Sequence, residues 1–432
     1  FTLLSNYFGT ASSAGMTTTE QGMMTTQGMT YDGAGDDDWE LLSHRNRCGI
    51  YIYFQCSNPL YWRKSLEQRL LEHVPFIQVV LGPRQVGKTT SILQIIKRWD
   101  GRSVYETADL PSPPDSSWII SHWERARRDL SKPVLLVLDE IQKIPPWAEV
   151  VKKLFDEDRH EENLSVVILG SASLSLGTGL TESLAGRFEI NHCRHWDLEE
   201  FKDAFGWDLY KYLKFGGYPA PVNLLPDTKR WTEFIRMSTI EPVISLDILS
   251  DVQINNPALF RQTLELALSH PAKELSYQKF LGQLQERGNT STIKGHLEIL
   301  KKAFILKQIR KYKPDTISSR VSSPKIIPLC PALVSAFTST SRVEEDLSWQ
   351  GFMFEALVGA ELLKRFDNVY YWRDGNSEVD FVVEKNQIPI PIEVKLDRAR
   401  NKKGLNDFIK IYKNAKPLII TEKSLNDLPH QD

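Results

Sequence analysis

The stretch Gly82-Pro83-Arg84-Gln85-Val86-Gly87-Lys88-Thr89 decides the fold of this chain. It fits the pattern GxxxxGK[ST], and it stands between an apolar run at Phe76–Leu81 and a helical pattern at Lys88–Trp99. A strand before the loop and a helix after it are the context that a phosphate-binding loop requires. A glycine-bounded turn with a coincidental lysine is the alternative. The sequence therefore predicts a P-loop nucleotide site.

Each residue type in this stretch suits phosphate binding. The two glycines let backbone amides approach the phosphates, and the helix N-terminus adds its positive dipole end. Lys88 is predicted to reach the β- and γ-phosphates, and Thr89 to ligate Mg²⁺ through its hydroxyl. The residues predicted to contact ATP are Gly82, Pro83, Arg84, Gln85, Val86, Gly87, Lys88, Thr89 and Thr90.

A second part of the site is predicted after the apolar run Val134–Leu138. Five consecutive apolar residues favour a central strand that is buried on both faces. Asp139 follows at its carboxyl end, where ligands of open α/β sheets bind. Asp139 is predicted to hold Mg²⁺ and Glu140 to polarise the attacking water. A strand that merely ends in a polar turn is the alternative.

Two further positions have weaker predicted roles. Ser171 follows the apolar run Val166–Leu169 and is predicted to approach the γ-phosphate or the water; an ordinary serine at a strand end is the alternative. Arg187, in the string Leu184-Ala185-Gly186-Arg187, is predicted to act as an arginine finger on phosphoryl charge. That role requires a neighbouring copy of the chain or a closed conformation, and a surface arginine is the alternative.

The order of strand-like and helix-like segments predicts an α/β fold with a parallel sheet covered by helices. We expect an ATPase domain at residues 60–220, a helical and winged-helix region at 221–330, and a small α/β domain at 345–420. Residues 1–58 hold four of the six methionines and no lysine, and we expect a disordered extension there.

Composition excludes several classes of protein. The net charge of −2 gives no general attraction to nucleic acid or membranes. The four cysteines show no metal-binding spacing, which favours a reduced, cytoplasmic setting. No apolar run approaches the roughly 20 residues that a membrane span requires, so we expect no membrane partner.

The middle of the chain carries local positive charge. Residues 272–313 contain ten Lys or Arg and three Glu. Their apolar spacing predicts a helix-turn-helix followed by a β-wing, with Thr290 or Ser291 capping the second helix. Lys294, His296 and Lys301 are predicted to be exposed and able to approach DNA phosphates. A protein-interaction module or a domain lid is the alternative.

The C-terminal region contains four residues of a candidate hydrolytic site. Glu355 falls in the middle of the apolar face of a helix predicted at Gln350–Phe366, whereas Glu361, Lys364 and Arg365 fall outside that face. Asp380 lies on one predicted strand, and Glu393 and Lys395 share a face of the next. Asp380 and Glu393 are predicted to hold Mg²⁺, with Lys395 assisting a water nucleophile. A buried ion cluster in an inactive fold is the alternative.

Together these motifs resemble those of a known family. The motifs that carry the resemblance are Gly82–Thr90, Asp139–Lys143, Ser171, Leu184–Arg187, Gly216–Pro219 and the two C-terminal strands. With them, the chain is similar to prokaryotic AAA-type ATPases that carry a C-terminal domain of unknown function. The resemblance spans roughly residues 60–420. It implies an AAA+ core, a winged-helix segment and a PD-(D/E)xK nuclease-like terminal domain. ATP hydrolysis, a nucleotide-regulated binding switch and ATP-coupled DNA cleavage all remain open, as does assembly with further copies or another protein.

Overall fold

The fold is described from a computed structural model. It describes residues 30–31, 61–72, 74–112, 114–171, 183–249, 252–286, 288–313, 323–339, 342, 346–396 and 402–431. The extension expected at residues 1–58 lies outside the described residues, apart from Thr30–Tyr31, which forms a short strand. No helix within these residues has the length and apolar composition needed to cross a bilayer.

The secondary structure follows the predicted alternation. The described strands are β1 (Thr30–Tyr31), β2 (Ile77–Leu81), β3 (Arg102–Thr107), β4 (Val134–Asp139), β5 (Leu164–Gly170), β6 (Phe188–His192), β7 (Leu306–Lys311), β8 (Lys325–Pro328), β9 (Tyr370–Asp374), β10 (Ser377–Lys385), β11 (Ile388–Val394) and β12 (Leu418–Ile420). The described α-helices are α1 (Tyr61–Leu71), α2 (Lys88–Arg98), α3 (Ser116–Arg127), α4 (Trp147–Glu157), α5 (Leu198–Phe205), α6 (Leu209–Phe215), α7 (Thr228–Glu233), α8 (Pro257–Ser269), α9 (Tyr277–Gln283), α10 (Thr290–Lys302), α11 (Pro331–Ser335), α12 (Leu347–Arg365) and α13 (Lys403–Ile411). Two π-helical segments, Phe234–Ile240 and Val243–Ile248, follow α7.

The first sheet has the strand order β1-β3-β4-β5-β2-β6. Its strands β2, β3, β4, β5 and β6 are all parallel. Successive residues of β4 enter two different hydrophobic clusters, one on each face of the sheet. Leu135 and Val137 pack with residues of α1 and α2. Leu136 and Leu138 pack with residues of α3 and α4. The predicted parallel sheet covered on both faces is therefore confirmed.

Two helices, α9 and α10, lie in the segment where a helix-turn-helix was expected, and two details of that prediction are wrong. Asn289, not Thr290 or Ser291, caps α10, because its side chain accepts a hydrogen bond from the backbone amide of Thr292 at 2.8 Å. His296 is buried rather than exposed. It lies on the same face as the buried Ile293, Leu297 and Leu300, and its ring packs edge-on against Phe260 of α8.

The expected β-wing is part of a larger sheet. Strands β7 and β8 pair in antiparallel fashion, as a wing would. However, β7 also pairs in parallel with β9, and the complete strand order is β12-β11-β10-β9-β7-β8. One six-stranded sheet therefore crosses the domain boundary that we expected near residue 330.

Helix α12 is covered on more than one side, which corrects the prediction for Glu361. Its apolar residues pack on β8 and β11, while another side faces α6. Glu361 is consequently buried, and its carboxylate accepts a hydrogen bond from Lys364 Nζ at 2.7 Å. A single apolar arc on a helical wheel does not show a second packing partner.

Candidate functional site

The P-loop has the local geometry that its two glycines allow. Gly87 precedes α2 with a left-handed φ of 95°, a conformation that glycine adopts without steric cost. At Gly82 an added Cβ would lie 2.0 Å from the carbonyl oxygen of Cys193, which follows β6. Any side chain at Gly82 would therefore force the loop away from the sheet.

The Lys88 side chain is buried under this loop. Its Nζ donates hydrogen bonds to the carbonyl oxygens of Gly82 at 3.1 Å and Pro83 at 2.7 Å. Burial lowers the pKa of this amine from its ordinary value, with nearby carboxylates opposing the effect. A desolvated cation held only by carbonyl oxygens gains strongly from an anionic partner such as a phosphate.

Asp139 lies beside the P-loop at the carboxyl end of β4. Its Oδ2 accepts hydrogen bonds from Thr89 Oγ1 at 3.0 Å and from the Tyr105 hydroxyl at 2.9 Å. Burial, followed by the charge of Glu140, raises the pKa of this carboxyl to about 6. Asp139 and Thr89, the two residues predicted to hold magnesium, are thus adjacent.

These residues fit a bound Mg²⁺ with a nucleotide triphosphate. The Asp139 carboxylate is almost fully buried, yet only two neutral hydroxyls bond to it in the described structure. Oxygen donors from a carboxylate and a hydroxyl are the ligands that Mg²⁺ prefers, and a divalent cation would compensate the buried charge. Lys88 supplies a complementary site for the phosphates.

Glu140 has a backbone conformation that turns its side chain toward the neighbouring strand end. Its φ is 54°, in the left-handed region, and its amide donates to the Leu169 carbonyl at 3.0 Å. The carboxylate accepts hydrogen bonds from Gln142 Nε2 at 2.6 Å and Ser171 Oγ at 3.4 Å. The geometry thus brings Ser171 and Glu140 together at the same sheet edge.

Three residues that support the site carry no signal in the sequence. Tyr105 looks like an ordinary residue of a strand, although its register beside Val137, two residues before Asp139, aims it at the site. Trp196 donates from its indole nitrogen to the Val86 carbonyl at 3.1 Å. Asp247, about 160 residues after the loop, is connected to it only by the tertiary fold.

Asp247 belongs to a second set of P-loop contacts, made with the π-helical segments. Arg84 Nε donates to one Asp247 oxygen at 2.8 Å, and the guanidinium also donates to the other oxygen at 2.5 Å. This pairing raises the pKa of Arg84. Gln85 donates to the Ser238 carbonyl at 2.8 Å and accepts from Thr239 Oγ1 at 2.7 Å. Arg84 and Gln85, two of the x positions in the GxxxxGK[ST] pattern, are therefore hydrogen-bonded to residues 234–248.

Arg187 does not lie at the nucleotide site of its own chain. It precedes β6, and its carbonyl accepts a hydrogen bond from the amide of Ile77, the first residue of β2. The P-loop follows the opposite end of β2. The guanidinium of Arg187 forms a two-pronged ion pair with Asp156 of α4 at 2.7 and 2.9 Å. This arrangement places Arg187 away from the nucleotide site of its own chain, and the finger role, toward a neighbouring copy or in a closed conformation, remains a prediction.

The C-terminal candidates are also brought together. Lys395 Nζ lies 2.7 Å from Glu393 Oε1 and 3.9 Å from Asp380 Oδ2. Asp380 Oδ2 accepts a hydrogen bond from the Val394 amide at 2.7 Å. Burial and the charge of Asp380 raise the pKa of Glu393. These side chains face one another across the paired strands β10 and β11.

A fifth residue, Lys325 of β8, enters this cluster. Lys325 is only 1% exposed and forms an ion pair with Glu355. Its Nζ also donates to the Asp380 carbonyl at 3.1 Å. Burial nevertheless raises the pKa of Glu355 to about 7. Among the described residues no three acidic, His or Cys side chains are grouped so that they could hold a metal ion.

Comparison with known proteins agrees with a nucleotide site at the P-loop and Asp139. Residues 75–202 match a family model described as "AAA domain". Residues 206–344 and 350–432 match models described as "Domain of unknown function", DUF8612 and DUF4143 respectively. The match to residues 75–202 covers strands β2 to β6, the P-loop and the Asp139–Glu140 pair. It supports an AAA-type ATPase domain in this part of the chain.

Two similar proteins have names that state no activity. A Mycobacterium tuberculosis protein named "Uncharacterized protein Rv2008c" is 28% identical over 339 residues, covering 76% of this chain and 72% of that protein. An uncharacterized Haemophilus influenzae protein is 21% identical over 384 residues, covering 84% of this chain and 93% of that protein.

Solved structures show only distant similarity. The Walker-type ATPase PABY2304 of Pyrococcus abyssi has a TM-score of 0.45 at 14% identity, covering 64% of this chain and 94% of that one. Cdc6p from Pyrobaculum aerophilum has a TM-score of 0.28 at 13% identity, covering 68% of this chain and 96% of that one.

Proposed function

We propose that this chain binds ATP with Mg²⁺ at Gly82–Thr89 and hydrolyses it. The observation that carries the proposal is the 3.0 Å hydrogen bond between Thr89 Oγ1 and Asp139 Oδ2. It joins the phosphate loop after β2 to the acidic pair after β4 at one edge of the sheet. Ligands of open parallel sheets bind at this edge.

Each residue has a role that its position allows. Lys88 exchanges its two carbonyl acceptors for phosphate oxygens and neutralises their charge. Thr89 and Asp139 would hold Mg²⁺, which would stabilise negative charge on the phosphates. Glu140 accepts a proton from the attacking water. Gln142 and Ser171 hold the Glu140 carboxylate in place through their hydrogen bonds.

Two substitutions test binding and hydrolysis separately. Lys88→Ala is expected to abolish saturable ATP binding, measured with a fluorescent ATP analogue in the presence of Mg²⁺. Glu140→Gln is expected to keep binding but to lose at least about 100-fold in hydrolysis, because general-base catalysis typically contributes that much. Glu162→Gln, an exposed change at the other end of the sheet, is the control. Unchanged ATP affinity in Lys88→Ala would refute the proposal.

A second candidate function is a nucleotide-regulated switch. The hydrogen bonds from Arg84 and Gln85 to residues 234–248 favour it, because a loop that opens around phosphates must move these partners. Limited proteolysis with and without ATP would show whether cleavage near residues 234–250 changes. ATP binding without hydrolysis, together with a changed cleavage pattern, would support the switch over turnover. Identical cleavage in both conditions would remove it.

A third candidate is hydrolysis of nucleic acid by the C-terminal cluster. The placement of Asp380 and Glu393 beside Lys395 favours it, and burial raises the pKa values of Glu355 and Glu393. A cation between Asp380 and Glu393 would compensate this buried negative charge. Plasmid is incubated with Mg²⁺, with and without ATP, comparing wild type and Asp380→Ala. Cleavage by wild type alone supports this function. Equal behaviour of the two proteins would discard it.

A further inference from the structure

A polar groove lies between α10 and strands β7 and β9 of the second sheet. It has a volume of about 710 Å³ and five basic residues line it: Lys294, Lys301, Lys307, Arg310 and Lys313. We call these five residues and the space between them the basic groove. Two of them lie on α10, and the other three lie on β7 or directly after it. The two elements thus present cations toward the same space.

The cations of the basic groove are only partly compensated. Among its three acidic lining residues, Glu298 pairs with Lys301 at 3.0 Å, and Glu384 accepts a hydrogen bond from the Tyr312 hydroxyl at 2.8 Å. Within the described part of the chain no carboxylate reaches ion-pair distance of Lys307 or Arg310. A half-buried lysine without a paired anion is an unfavourable arrangement unless a ligand supplies the charge.

The positive region continues toward the ATPase domain. A second cavity of about 420 Å³ shares Lys301 and Lys307 with the basic groove and adds Arg194, close after β6. Burial, and then the charges of Lys301 and Arg194, lower the pKa of Lys307, with Asp367 opposing them. Lys301, Lys307 and Arg194, from three different parts of the fold, therefore line one cavity and lie close enough for their charges to affect one another.

Aromatic side chains accompany the cations. Tyr277 and Tyr370 line the basic groove, and Lys294 Nζ lies 4.9 Å from the centre of the Tyr277 ring. Alternation of basic and aromatic side chains in a groove is typical of proteins that bind unpaired nucleic acid, because the cations meet the backbone and the rings meet the bases.

The position of α10 distinguishes a single strand from a duplex. Lys294, Glu298 and Lys301 form one stripe on this helix, and all three line the groove opposite β7. A helix that reads duplex DNA must project into a major groove about 12 Å wide. Here the charged stripe faces a strand of the same chain and is not free to enter a major groove, which favours an unpaired strand as the ligand.

We propose that the basic groove binds the phosphodiester backbone of single-stranded nucleic acid. Lys307 and Arg310 contact phosphates, and Tyr277 offers a ring to a base. The proposal does not depend on the ATP site, since none of these residues touches the P-loop.

The test is fluorescence anisotropy with a labelled oligothymidylate of roughly 20 nucleotides, longer than the sites of common single-strand binders. The variant is Lys307→Gln/Arg310→Gln. The control is Lys279→Gln/Lys302→Gln, which removes the same charge from exposed lysines outside the basic groove. Each phosphate contact to a single strand contributes about 0.7 to the salt slope, or roughly fivefold in affinity at about 0.1 M salt. We therefore expect roughly 25-fold weaker binding by the groove variant and less than about threefold by the control.

Other results of these measurements would overturn the proposal. Equal losses in the two double variants would overturn the proposal, because the effect would then be general electrostatics. Tighter binding of a duplex of the same length would overturn its single-strand part. Competition by polyglutamate as effective as by the oligonucleotide would show a general polyanion site and overturn the assignment to nucleic acid. ATP hydrolysis measured without nucleic acid is expected to be equal in all variants, so failure of the groove and failure of the ATPase are distinguishable.

Discussion

Replacing Asp139 by Asn is expected to stabilise the ligand-free protein while removing its ATPase activity. The Asp139 carboxyl has a pKa of about 6 in the folded chain, against 3.8 ordinarily, because it is desolvated and lies near Glu140. An acid with a raised folded pKa favours folding at low pH, and this contribution is lost as pH rises between the two values. Asparagine keeps an oxygen for the hydrogen bonds from Thr89 and Tyr105 but carries no charge.

The size of the expected stabilisation follows from the pKa shift of Asp139. Each pKa unit corresponds to about 1.4 kcal/mol, so the charge costs roughly 3 kcal/mol of folding free energy above pH 6. For a domain of this size about 1 kcal/mol moves the melting temperature by roughly 2–4 °C. We expect Asp139→Asn to melt at least about 5 °C higher than wild type at pH 7.5, without nucleotide or Mg²⁺. At pH 5 the difference is expected to shrink, since wild-type Asp139 is then mostly protonated.

Differential scanning fluorimetry at the two pH values measures this effect. Asp158→Asn is the matched control on the same domain, because Asp158 accepts from Arg127 and Trp123 and is compensated. This control is expected to lower the melting temperature. A melting temperature of Asp139→Asn equal to or below that of wild type at pH 7.5 would refute the conclusion that the buried charge of Asp139 destabilises the protein when no cation is bound.

Three further substitutions test other parts of the structure. Lys325→Met is expected to destabilise the chain by roughly 3 kcal/mol at pH 8, because it leaves Glu355 buried without its partner. In chemical denaturation experiments, adding Glu355→Gln should restore most of the lost stability. Asp247→Asn releases Arg84 toward the phosphates and is expected to tighten ATP binding about fivefold, or about 1 kcal/mol, by calorimetry; unchanged affinity would contradict this. Burial raises the pKa of Glu200 to about 8. Glu200→Gln is therefore expected to stabilise the chain by at least about 1 kcal/mol at pH 9 and not at pH 5. A change in stability that does not depend on pH would contradict this prediction.

The sequence alone determined the local parts of the ATP site. Gly82, Lys88 and Asp139 stand in motifs whose strand and helix context is set by short-range apolar patterns, and parallel strands bring their carboxyl ends to one edge. For this reason the meeting of the P-loop and the acidic pair is predictable from local patterns. The buried, two-faced β4 followed from its run of apolar residues in the same way.

Tertiary structure decided everything that depends on pairing between distant segments. Tyr105, Asp247 and Lys325 reach their sites through strand register or domain packing, and no periodicity in their own segments indicates their partners. The prediction for His296 was wrong because one side of a helix becomes core only when another helix covers it. Likewise β7 was expected in a wing, and its parallel pairing with β9 comes from hydrogen bonds between segments about 60 residues apart. Local sequence specifies which groups a strand or helix carries, and long-range packing specifies which of them meet.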